Sequence, residues 1–65
     1  MNIFVNDEET RIEPGQTLAS LLADLTGGRP VAVAVNDTVI RQDEWPDYRL
    51  QAQDRVLVIA PVQGG

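Results

Sequence analysis

The chain has 65 residues, with 10 acidic side chains against 5 basic ones, and a net charge of −5. A chain this short forms one domain and buries only about 60% of the surface it exposes when unfolded, which leaves no room for a catalytic cleft with a lid. It has no cysteine and no histidine, and its basic residues are all arginine, so it lacks most nucleophiles and bases that work near neutral pH and is not expected to be an enzyme. The acidic balance repels phosphate backbones and anionic lipid and favours a protein partner with a basic face. With no run near the ~20 apolar residues of a membrane span and no signal-peptide pattern, the cytoplasm is the expected compartment.

The first segment, Met1 to Asn6, alternates with period two, which places Met1, Ile3 and Val5 on one face of a strand and Phe4 on the other. Asn6-Asp7-Glu8-Glu9 carries turn chemistry, since Asn and Asp tolerate left-handed backbone. A second strand is expected at Thr10 to Glu13 with Ile12 inward, closed by Pro14-Gly15. Thr17 is a helix N-cap, and Leu18, Leu21, Leu22 and Leu25 follow the i, i+3, i+4, i+7 spacing of one buried stripe. Gly27-Gly28 ends that helix and Pro30 keeps it from resuming. A phosphate-binding glycine loop does not fit this pair, because no strand precedes it and no Gly-Lys-Ser/Thr follows.

The run Val31-Ala32-Val33-Ala34-Val35 predicts a strand buried in the middle of a sheet. Asn36-Asp37 turns the chain into Thr38-Val39-Ile40, a second hairpin. Arg41 to Pro46 predicts a brief turn or one-turn helix whose Trp45 indole folds back on the core. Asp47 to Asp54 reads as irregular with Leu50 inward, and Val56 to Ile59 as the last strand, with Val56 and Val58 on one face and Leu57 and Ile59 on the other. One helix serving one sheet is an α+β pattern in a single domain, 1–65.

The end of the sequence, Pro61-Val62-Gln63-Gly64-Gly65, has almost nothing to bury, and glycine loses the most entropy on ordering. Residues 61–65 are therefore expected to be a flexible tail. Two glycines without Cβ fit a slot too narrow for other residues, and they leave the last carbonyl carbon open to a reagent. The Gly65 carboxylate is the candidate functional group.

The helix after a Pro-Gly turn, the Val-Ala-Val-Asn hairpin, Arg41-Gln42-Asp43-Glu44-Trp45, the Asp54-Arg55-Val56 strand entry and the Gly-Gly end together resemble the ThiS family. These are the ubiquitin-like sulfur carriers of thiamine biosynthesis. The resemblance covers nearly the whole chain. It implies a β-grasp fold, a mixed sheet of four to five strands on one main helix, with the first and last strands parallel at its centre. It further implies that Gly65 is adenylated by a ThiF-like activating enzyme using ATP and magnesium. The adenylate is then converted, with a persulfide sulfur donor, to a thiocarboxylate that feeds a ThiG-like thiazole synthase. This chain itself is expected to bind no cofactor, metal, nucleic acid or membrane, and to be a monomer when free. Gly64, Gln63 and Val62 would thread into the partner, and Phe4, Leu57, Ile59, Ala32 and Ala34 would form the docking patch on the face opposite the helix.

Gln53 stands where the family commonly has glycine. If that position needs positive φ, Gln53 costs about 1 kcal/mol, or the turn is of another type. The tail also looks somewhat like that of MoaD, the small subunit of molybdopterin synthase, so a carrier for that acceptor is one alternative. A tag joined through Gly65 to lysines, or an interaction module with an inert tail, are the others.

Overall fold

The computed structural model describes residues 1–59. It contains β1 (Asn2–Val5), β2 (Glu8–Arg11), α1 (Leu18–Thr26), β3 (Ala32–Val35), β4 (Thr38–Ile40), a short 3-10 helix (Gln42–Asp47) and β5 (Arg55–Ile59). The five strands form one sheet in the order β2-β1-β5-β3-β4. β1 and β5 run parallel at its centre, with Phe4 opposite Arg55 and Val5 opposite Val56, while every other neighbouring pair is antiparallel. This is the mixed, one-helix β-grasp arrangement.

Both hairpin turns are two-residue loops, because Val5 pairs with Glu8 and Val35 with Thr38. Such loops require left-handed backbone at both central residues. Asn6 and Asp7 take φ of 50° and 68°, and Asn36 and Asp37 take 51° and 70°. Asn and Asp are the non-glycine residues that carry this conformation at least cost. The second strand consequently starts at Glu8 rather than at Thr10, since the turn consumes two residues and not four. Ile12 is buried as expected, just past the strand. Its N–H donates to the Met1 carbonyl at 2.8 Å, and the Met1 ammonium donates to the Ile12 carbonyl at 2.8 Å.

At the start of α1 the Thr17 hydroxyl accepts the Ser20 N–H at 3.2 Å. At its end Gly27, with φ 63°, donates its N–H to the Ala23 carbonyl. Leu18, Leu21 and Leu22 enter a core with Ile3, Ile12, Val33, Val35, Leu50 and Val56. Leu25, expected in the same stripe, is instead 49% exposed, on the last turn of the helix. The β3 run is likewise buried on one face only. Val33 and Val35 face α1 and are buried, while Ala32 is exposed and Ala34 half-buried, because the single helix covers one side of the sheet. Trp45 folds back as expected: its indole N–H donates to the Ile40 carbonyl at 3.0 Å, and its ring packs half-buried against the core.

The connection into β5 turns on Gln53, whose φ is 71°. Its N–H donates to the Asn2 carbonyl at 2.7 Å, and the neighbouring Asp54 carboxylate accepts the Gln51 N–H at 2.8 Å. Positive φ is therefore needed here, and Gln53 adopts it without the freedom of glycine.

Candidate docking face and tail exit

β5 carries the site. Its Val56 faces the core, so alternation sends Leu57 and Ile59 to the other side, where they remain 48% and 52% exposed. Register then decides their neighbours: Ala34 lies opposite Leu57 and Ala32 opposite Ile59 on β3. On the other flank Phe4 of β1 lies opposite Arg55. Phe4, Ala34, Leu57 and Ile59 line one shallow hollow of about 420 Å³. The structure thus brings four of the five expected patch residues together. Ala32 shares their face but lies outside the hollow.

Residues that sequence reasoning missed complete the surface. Val39 lines the same hollow and is 73% exposed, the most exposed large apolar side chain among the described residues. The two-residue Asn36-Asp37 turn sets Val39 directly opposite Ala34, so the turn chemistry carried the signal. The rim is polar. Asp7 and Asp37, one from each hairpin turn, and Arg55 at the start of β5 border the apolar floor. An apolar centre with a charged rim is the anatomy of a protein-docking surface.

The start of β5 is held by Asn36. Its Oδ1 accepts the Arg55 N–H at 3.0 Å, its Nδ2 donates to Asp54 Oδ1 at 3.0 Å, and its own N–H donates to the Arg55 carbonyl at 2.8 Å. Nearby, burial pushes the Tyr48 phenol above its ordinary value of 10.0, and the Asp54 carboxylate raises it further. Among the described residues no group of acidic, histidine or cysteine side chains is placed to hold a metal ion, and no helix is long and apolar enough to cross a membrane. The expected tail residues Val62, Gln63, Gly64 and Gly65 lie outside the described residues.

The geometry agrees with the comparisons to known proteins. The model of the ThiS family matches residues 2–65. The sulfur carrier protein ThiS of Escherichia coli K12 is 29% identical over 66 residues, with all of both chains covered. The crystal structure of a thiamine biosynthesis protein, ThiS, from Geobacter metallireducens superimposes with a TM-score of 0.84 at 22% identity, over the whole of both chains. A solution structure of a thiamine biosynthesis protein from the same organism gives 0.76 at 22% identity, covering all of this chain and 88% of that one. The two solved structures establish the likeness of fold, and the family match, running through nearly every residue, establishes that the chain belongs to the ThiS family of ubiquitin-like sulfur carriers.

Proposed function

We propose that the chain carries sulfur for thiazole formation in thiamine biosynthesis, with Gly65 as the modified group. The observation that supports this most is the reach of the family match, which extends to residue 65 and so includes Gly64 and Gly65. A carboxylate is ionised at neutral pH and resists nucleophiles, so it must first become a mixed anhydride. In the proposed first step a Gly65 carboxylate oxygen attacks the α-phosphorus of ATP. The bond to the β-phosphate breaks, pyrophosphate leaves, and an acyl adenylate remains.

The terminal sulfur of a persulfide donor then attacks the acyl carbon, and AMP leaves with the bonding electrons, giving an acyl disulfide. A second thiol attacks the donor-side sulfur of that disulfide, forming a new disulfide and releasing the thiocarboxylate. A thiazole synthase consumes its sulfur. With no cysteine in the chain, both thiols come from elsewhere. A ThiF-like activating enzyme supplies the ATP and magnesium chemistry, and a ThiG-like synthase is the acceptor.

In this reading Val62, Gln63 and Gly64 thread the partner's channel, and the hollow around Phe4, Ala34, Val39, Leu57 and Ile59 rests against the partner. Hydroxylamine trapping tests the first step. In the presence of the activating enzyme, ATP and magnesium, the adenylate should be captured as a hydroxamate at Gly65, and a chain lacking Gly65 should give none. Lysine-linked adducts that survive denaturant would instead assign the chain to protein conjugation.

A further inference from the structure

β1 ends before β5 does. At Val58 the backbone N–H and C=O both face the side of the sheet from which β1 has already turned away, because Val56, two residues earlier, accepts the Asn6 N–H at 2.9 Å on that same side. The Asn6 side chain takes the place of the missing strand. Its Oδ1 accepts the Val58 N–H at 2.8 Å, and its Nδ2 donates to the Val58 carbonyl at 3.3 Å. One side-chain amide thus supplies the acceptor and the donor that two successive ladder positions of a continuing parallel strand would have supplied, and it carries the ladder one rung further. The left-handed φ of 50° at Asn6 keeps this residue against β5 while the chain reverses. On the opposite flank β5 is held to its end by β3, where Ala32 pairs with Ile59.

We propose that Asn6 is a positioning residue for the carrier reaction: by clamping Val58 on the flank that β1 leaves open, it holds the end of β5, the strand that leads toward Gly65, against the sheet. The inference rests on the sulfur-carrier reading, in which the tail must enter a partner's channel. With Asn6 in place the end of β5 is held on both flanks. An end held on one flank splays, and fewer molecules in the population are aligned for entry.

Asn36 supplies the matching control, since it has the same turn position and backbone conformation but clamps Arg55 at the far end of β5. Asn6→Gly and Asn36→Gly each keep the left-handed turn and delete one amide. Amide hydrogen exchange at Val58 and ATP–pyrophosphate exchange by the activating enzyme are measured on both full-length variants. Asn6→Gly should lose protection at Val58 and raise KM for the carrier by roughly two- to tenfold with kcat little changed, the range expected for one or two hydrogen bonds. Asn36→Gly should leave Val58 protection unchanged and raise KM less than Asn6→Gly does. Asn6→Asp, which keeps the acceptor for the Val58 N–H, should recover part of each effect.

Unchanged Val58 protection in Asn6→Gly, or equal rises in KM for the two glycine variants, would overturn the proposal. If the unaltered chain supports no exchange with the activating enzyme, it is the sulfur-carrier reading that fails. The role of Asn6 in holding the end of β5 is then decided by Val58 protection alone, whose loss upholds it and whose persistence refutes it.

Discussion

Gln53 is the residue at which local chemistry and fold disagree. The turn before β5 demands φ 71°, a conformation that costs a side chain with Cβ about 1–2 kcal/mol and glycine almost nothing. Glycine gives back part of that advantage through its larger unfolded-state entropy. Gln53→Gly should therefore raise stability by up to about 1 kcal/mol, read as a higher denaturant midpoint at unchanged slope; a lower midpoint would contradict the strain. Tyr48 makes a prediction in pH. Burial and Asp54 disfavour the phenolate in the folded protein and raise the folded pKa above the unfolded 10.0. The folded state then holds the proton more tightly, so this contribution is complete below pH 10 and disappears as pH climbs through the folded value. Tyr48→Phe should remove that component of the alkaline loss in unfolding free energy, and identical alkaline slopes for the two proteins would count against it.

Among the elements, α1 shows how unequally a regular stripe can be used. Leu21 and Leu22 are 4% and 2% exposed, against 49% for Leu25. Leu22→Ala should cost about 2 to 5 kcal/mol, which is most of the stability of so small a domain, while Leu25→Ala should cost less than about 1 kcal/mol. Equal losses in chemical denaturation would mean that Leu25 is packed after all. The leucine spacing, the Thr17 cap and the Gly27 stop made the helix legible from sequence because each acts over a few neighbouring residues. The exposure of Leu25 was not legible, since it depends on which residues pack against that turn in three dimensions and not on the spacing of the leucines. The start of β2 was misplaced for a related reason: Glu8 and Glu9 look like turn residues by composition, yet Asn6 and Asp7 close the hairpin unaided. The one-sided burial of β3 is set by the number of helices, which its apolar run does not encode. Within the candidate site, period-two alternation sufficed to group Phe4, Leu57 and Ile59. Val39 and the Asp7, Asp37 and Arg55 rim needed the register of three strands.

For the molecule as a whole, the sheet has one face spent on the core and one face left over, and β5 belongs to both. Val56 locks the strand into the core, while Leu57 and Ile59 lie on the opposite side, about half-exposed. Leu57→Asp should keep the fold, because the side chain is about half-exposed already, yet it sets a carboxylate in the middle of the apolar hollow. Binding to both the activating enzyme and the synthase should weaken by tenfold or more, about 1.4 kcal/mol, in titration calorimetry. Undiminished affinity for both would remove this face from consideration as the interface. Sulfur transfer itself is most directly tested by the intact mass of the chain after incubation with its activating enzyme, ATP, magnesium and a persulfide donor. The expected result is a gain equal to the replacement of one oxygen by sulfur, confined to the fragment ending at Gly65 and absent from a chain that lacks both glycines. Sulfur incorporation that persists without Gly64 and Gly65, or an unchanged mass in the complete system, would contradict it.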